Sequence, residues 1–123
     1  MIQKTKGQLE AEISIAIAKF EKEHLGRGPK QVNTYIVEDV ILVRLMDVIT
    51  PAEKTLAGMN NGVQLMKQAR LSLIEGCRPV LEGIINDITG VNTISLHTDV
   101  STRTGERIFV FCLEKNPEFA VES

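Results

Sequence analysis

The 123-residue chain holds only two cysteines, Cys77 and Cys112, in separate segments. So few fit a reduced compartment and leave no disulfide framework to hold a fold together. Long apolar runs are missing too: none approaches the roughly 18–20 residues that a membrane-spanning helix needs. The opening residues, MIQKTKGQLEAE, mix acids with bases and lack an apolar stretch. A cytoplasmic location without direct membrane insertion is therefore expected rather than secretion. Positive charge is not in excess, since 14 Lys+Arg stand against 16 Asp+Glu for a net charge of −2. No nucleic-acid partner is expected, because neutralising phosphates takes a clustered basic surface.

Catalytic signatures are absent as well. Arg27 sits between two glycines in GRGP, on a loop able to hold an anion, but the spacing is neither a Walker loop nor a dinucleotide fingerprint. Histidine occurs only at His24 and His97, without the short paired spacings of a zinc site. The glutamates and aspartates show no spacing that demands a two-carboxylate mechanism. The chain reads as a non-enzyme, and no metal or cofactor is expected.

What is present is ordinary globular composition, 43% apolar and 24% charged, enough for one domain with a real core. That domain is expected over residues 1–115, with 116–123 as a flexible tail in which Phe119 and Val121 dock locally. Across residues 3–24, Leu9, Ile13, Ala16, Ile17 and Phe20 recur at helical spacing. Ile15 points away from that stripe, either as a single exposed isoleucine or toward a second packed face against another helix or subunit. Gly26 ends the helix with a positive φ and Gly28-Pro29 blocks its continuation. Thr50-Pro51-Ala52-Glu53 is a capping box with proline at the first helical position. Its helix is short, because Gly58 and Asn60-Asn61-Gly62 interrupt it. A long helix follows over residues 63–88, with Met66, Ala69, Leu73, Cys77, Val80, Ile84 and Ile88 as its buried stripe and Pro79 bending it. Its length of about 40 Å exceeds the roughly 27 Å of an eight-residue strand.

Two hairpins complete the chain. In residues 32–46 a turn at Glu38-Asp39 pairs Ile36/Ile41, Thr34/Val43 and Val32/Leu45 on one face and Val37/Val40, Tyr35/Leu42 and Asn33/Arg44 on the other. Both faces are substantially apolar, so this half of the sheet should be covered twice, the second time by another subunit. In residues 89–113, Ile94, Leu96, Thr98 and Val100 alternate with polar residues. A turn at Thr104-Gly105 would set Val100 opposite Phe109, Thr98 opposite Phe111 and Leu96 opposite Leu113. Val-Asn-Thr recurs before each hairpin, after a helix each time. The expected fold is a two-layer α+β domain, αββααββ, with a four-stranded antiparallel sheet and an αββ pseudo-duplication.

His97, Asp99 and Cys112 share the polar face of the second hairpin and could suggest a nucleophile pair or part of a metal site. A polar hairpin face or interface is the preferred reading. Arg27/Lys30, Lys67/Arg70 and Arg103/Arg107 are read as solvated charged edges, and Cys77 as a small buried hydrophobe. For a small-anion or nucleotide sensor, the alternative function, the contacts would be Arg27, His97, Asp99, Arg103 and Arg107. For a docking protein the interface would be Ile15, Tyr35, Val37, Val40 and Leu42.

Three blocks agree in order and spacing with one family: KTKGQLEAEISIAIAKFEKEHLGRGP, TYIVEDVILVRL followed by ITPAEK, and ITGVNTISLHTDVSTRTGERIFVF. Together they resemble the MpsC family of small bacterial proteins, first grouped as a domain of unknown function and named for a sodium-translocating, membrane-potential-generating system. The resemblance implies a soluble accessory or regulatory component working beside integral-membrane ion-transport proteins, and the doubly apolar sheet and the Ile15 face predict a homo-oligomer.

Overall fold

The computed structural model describes residues 3–121. Helix α1 (Lys6–Leu25) starts at Thr5, whose Oγ1 accepts from Gln8 N at 3.2 Å while Thr5 N donates to Gln8 Oε1 at 2.8 Å. This capping box, Thr-x-x-Gln, sets the helix start three residues later than its apolar periodicity alone suggests. Gly26 closes the helix at φ 89°, as expected. Leu9, Ile13, Ile17 and Phe20 are buried, while Ile15 is 71% exposed.

Strands β1 (Gln31–Val37) and β2 (Val40–Met46) form the first hairpin in the expected register, Ile36 opposite Ile41 and Tyr35 opposite Leu42. Its tight turn uses Glu38 at φ 56°, a left-handed conformation for a non-glycine residue. Helix α2 (Pro51–Ala57) carries the predicted capping box, Thr50 with Glu53. Helix α3 (Gly62–Thr89) then runs unbroken through Pro79 for 28 residues, about 42 Å.

Strands β3 (Thr93–Val100) and β4 (Arg107–Leu113) correct the predicted second hairpin. Val100 pairs with Arg107, Thr98 with Phe109 and Leu96 with Phe111, a shift of two residues on β4. The reason lies in the turn. A two-residue turn of the favoured type needs positive φ at both positions; Thr104 is β-branched, and only Gly105 adopts one, at 75°. The connection instead widens over residues 101–106, held by Ser101 N to Glu106 O and Gly105 N to Ser101 O, both 2.8 Å. A bulge between Thr93 and Ser95 breaks the alternation. Ile94, expected on the buried face, is thereby turned out to 65% exposure.

The sheet order is β1-β2-β4-β3, all antiparallel, so the second strands of the two αββ halves meet in the centre. Its inner face carries Ile36–Ile41–Phe111–Leu96, then Thr34–Val43–Phe109–Thr98, then Val32–Leu45–Arg107–Val100 as cross-strand rows. Helices α1 and α3 pack on this face, Ser14 bonding Thr34 at 2.8 Å. The buried residues of α3 are Gly62, Met66, Arg70, Ile74, Leu81 and Ile85. That stripe is rotated from the predicted one: Leu73 and Val80 face out, and Cys77 is half-buried.

The chain then turns back from β4, where Ala120 N donates to Lys4 O at 2.8 Å beside a Thr5–Ala120 bridge. Of the predicted 116–123 tail, Glu122 and Ser123 lie outside the described residues.

Candidate functional site

Two features of the fold are candidates for function. The first is the outer face of the sheet. Its cross-strand rows are Val37–Val40–Cys112–Ser95, Tyr35–Leu42–Val110–His97 and Asn33–Arg44–Ile108–Asp99. Both long helices lie on the other side, so among the described residues no element covers this face. Val37 is 61% and Tyr35 42% exposed, with Val40, Leu42, Ile108 and Val110 half-buried by their neighbours. Four of the five predicted interface residues therefore lie together on one surface. Ile15 does not join them, because it stands on the helix layer.

The second is a buried ionic cluster under the helices. Glu21 of α1, Arg70 of α3 and Arg107 of β4 have side chains at most 4% exposed, with Glu53 of α2 beside them. Arg70 grips both oxygens of Glu53 with one edge of its guanidinium, Nε to Oε2 at 2.5 Å and Nη2 to Oε1 at 2.7 Å. It also donates from Nη2 to Val48 O at 2.8 Å and from Nη1 to Glu21 Oε1 at 3.1 Å. Glu21 Oε1 faces Arg107 Nε at 3.3 Å as well, so one carboxylate oxygen serves two guanidiniums. Arg107 donates from Nη1 to Thr98 Oγ1 at 2.8 Å, and its guanidinium lies 5.1 Å from the Phe109 ring centroid.

Burial pushes the Glu21 carboxyl above its ordinary range, against the pull of Arg107 and Arg70. Burial likewise brings Arg107 down, with Glu21 opposing and the like charge of Arg70 adding to the shift. Arg70 goes the other way: burial would lower it, but its hydrogen bonds and charge contacts with Glu53 and Glu21 hold it above its ordinary value.

Arg70 and Arg107 therefore overturn the reading of their pairs as solvated edges. A signal for both was present in the sequence. Arg107 is in phase with Phe109, Phe111 and Leu113 at period 2, Glu21 follows Ile13 and Ile17 at intervals of four, and Arg70 stands midway between Met66 and Ile74. Periodicity thus turns Glu21 and Arg107 inward, whereas on α3 it admits other stripes besides the one that carries Arg70.

The other predicted ligand residues disperse. Arg27 is committed to Asp47, Nη2 to Oδ2 at 2.6 Å and Nε to the carbonyl at 2.9 Å. That bond holds the Asp47 carboxyl below its ordinary range. His97, on the outer face, contacts Ser95 Oγ at 3.2 Å. Cys112 pairs with Ser95 rather than with His97. Asp99 accepts from Val100 N at 2.8 Å, which with Lys67 at 3.4 Å lowers its carboxyl. Arg103 lies exposed in the β3–β4 turn and lines a surface cleft with Asp99 and Lys67.

The fold also makes a cysteine–histidine contact that sequence spacing did not suggest, Cys77 Sγ to His24 Nδ1 at 4.0 Å, with His24 stacked on Phe20. Among the described residues no group of three or more His, Cys, Asp or Glu is arranged to hold a metal ion. No described helix is long and apolar enough to cross a membrane.

Comparison with known proteins places this arrangement in a family. The chain is 46% identical over 121 residues to the uncharacterized protein YbcI of Bacillus subtilis (strain 168), covering 95% of this chain and 98% of that one. It is 26% identical over 106 residues to the uncharacterized protein YrhF of the same organism, covering 85% and 86%. No solved structure matches it significantly. Residues 5–115, which take in all three helices, both hairpins and every residue of the buried cluster, match the family described as "Na+-translocating membrane potential-generating system (MpsC)", and the chain belongs to it.

Proposed function

We propose that this protein is a non-catalytic accessory or regulatory component of a membrane-potential-generating system, and that it works as a homodimer joined through the outer face of the sheet. The observation that carries the reading is the uncovered row Tyr35–Leu42–Val110 with Val37, Val40 and Ile108 beside it. An antiparallel sheet with one solvated face normally sets polar residues outward. Here most of the centre of that face is apolar: His97 and Asp99 stand on the β3 edge and Asn33 on the β1 edge, while Arg44, on the inner strand β2, is paired with Glu106 at 2.6 Å.

Four strands about 4.8 Å apart and seven residues of about 3.3 Å each make a face of roughly 450 Å² in projection. The accessible surface of a side-chain-studded face exceeds its projection. Two such faces together reach the range of about 1,000 Å² expected of a stable interface. A second copy is the partner that fits, since sheets pack face to face through interdigitating apolar rows and a twofold pair presents each copy with the same patch. The family description, a Na+-translocating membrane potential-generating system, supports the setting, and the partners proposed for the assembled pair are integral-membrane ion-transport proteins.

Light scattering at micromolar concentration is expected to give a dimer mass for the unmutated protein. Leu42→Asp should give a monomer that keeps its helix and strand circular dichroism. A monomer for the unmutated protein overturns the interface. For the accessory role, cross-linking in native membranes should capture ion-transport subunits. Capture of none of them overturns that part alone.

A further inference from the structure

Between α3 and the end of β3, a cleft of about 220 Å³ is lined by Lys67, Arg70, Thr98, Asp99 and Arg107. Its two buried cations are unequally served. Arg70 has both oxygens of Glu53, one of Glu21 and the Val48 carbonyl. Arg107, with its side chain 2% exposed, has Thr98 Oγ1 on Nη1 and nothing on Nη2. Its Nε faces Glu21 Oε1 at 3.3 Å without making a hydrogen bond, and Glu21 Oε2 has no partner either. Arg107 thus lacks a carboxylate of its own. Leaving donors of a buried charged group unmet costs free energy, and a planar guanidinium is best met by an oxyanion that engages two N–H groups at once.

We propose that this cleft binds a small oxyanion, a carboxylate or a phosphate, with Lys67 Nζ at the rim and the Arg107 guanidinium as the inner contact, its unmet Nη2 being closed to solvent until the ligand displaces the cleft wall. The cleft lies beside the margin of the sheet face, which it meets at Asp99, and its inner contacts, Arg70 and Arg107, belong to the helix-covered side. Lys67 is half-exposed and its ion pair with Asp99, at 3.4 Å, is a surface one that costs little to rearrange. Asp99 Oδ1 already accepts from Val100 N, which turns part of its charge toward its own backbone. The cleft, at about 220 Å³, has room for a phosphate or a short carboxylate. The body of a larger ligand would extend into the adjoining cleft of about 370 Å³, which shares Lys67 and Asp99 and adds Arg103 and the Glu106 carboxylate, the latter already paired with Arg44.

The test is calorimetric titration of the full chain with inorganic phosphate and, separately, with citrate, at constant ionic strength in chloride. Saturable binding of either is expected, and which one binds identifies the headgroup. Lys67→Gln, at an exposed position, should weaken it several-fold. Arg107→Lys, which keeps the charge but loses the fork, should weaken it roughly tenfold or more. Lys19→Gln, an exposed charge on α1, should leave it unchanged. Circular dichroism of each variant confirms that the fold is kept, and Lys67→Gln serves alone where Arg107→Lys does not fold. No saturable heat from either anion at millimolar concentration, or binding that survives Lys67→Gln and Arg107→Lys undiminished, overturns the site.

Discussion

At the scale of single residues, the core of this protein is unusual in closing around charge. Glu21 holds Arg70 and Arg107 through one oxygen, so Glu21→Ala would leave two guanidiniums buried beside each other without it. Removing one partner of a buried pair costs about 3–5 kcal/mol, and denaturant unfolding should show a loss of that size. Glu53 allows a test by pH. Burial would raise its carboxyl, but the hydrogen bonds from Arg70 and Thr50 overcome this and hold it below the ordinary glutamate value of 4.5. A lowered folded-state value means stability that is present above the ordinary value and is lost as pH falls through the lowered one. Glu21, raised by burial, carries the opposite sign. Glu53→Gln should therefore be less stable than the native protein at neutral pH, and the difference should shrink as pH falls below about 4.5. Thermal unfolding across that range checks it; a constant difference would mean that Glu53 charge is not what Arg70 requires.

At the scale of elements, the joint between α2 and α3 is the tightest local constraint. Met59 N donates to Leu56 O at 2.9 Å and Gly62 N to Met59 O at 3.0 Å. A Cβ on Gly62 would stand 1.6 Å from Leu56 O. Gly62→Ala must push backbone apart rather than a side chain, and a loss of about 3 kcal/mol or more is expected in denaturant unfolding. Both capping boxes, Thr5 with Gln8 and Thr50 with Glu53, are local sequence signals, and the helix starts follow them. The face of α3 was not legible in that way. Leu65, Leu71, Leu73 and Val80 are as apolar as Met66, Ile74 and Leu81, so periodicity alone admits more than one stripe. The choice falls to the stripe containing Arg70, because its guanidinium meets Glu21, Glu53 and Val48 O there.

At the scale of the whole molecule, one side of the sheet is closed by helices and the other is open. The proposed dimerisation through the open side would make stability depend on concentration. The thermal midpoint of the native protein should rise with protein concentration, while that of Leu42→Asp should not. A midpoint independent of concentration for the native protein would count against the paired form. The patch that this rests on is legible in the sequence, because the short turn at Glu38-Asp39 places Tyr35 and Leu42 opposite each other on a face of their own. The completion of that face by Ile108, Val110 and Cys112 depends on β4 joining β2, a long-range pairing with no local mark.

What the sequence by itself determined is everything set by neighbours along the chain: the helix starts, the stop at Gly26, the first hairpin and the order αββααββ. Tertiary structure alone decided the strand order, the two-residue shift of the second hairpin, the exposure of Ile94 and the meeting of Glu21, Glu53, Arg70 and Arg107. The physical reason is one of range. Caps and tight turns are satisfied within a few residues, whereas a buried charge is tolerated only where partners from distant segments arrive together.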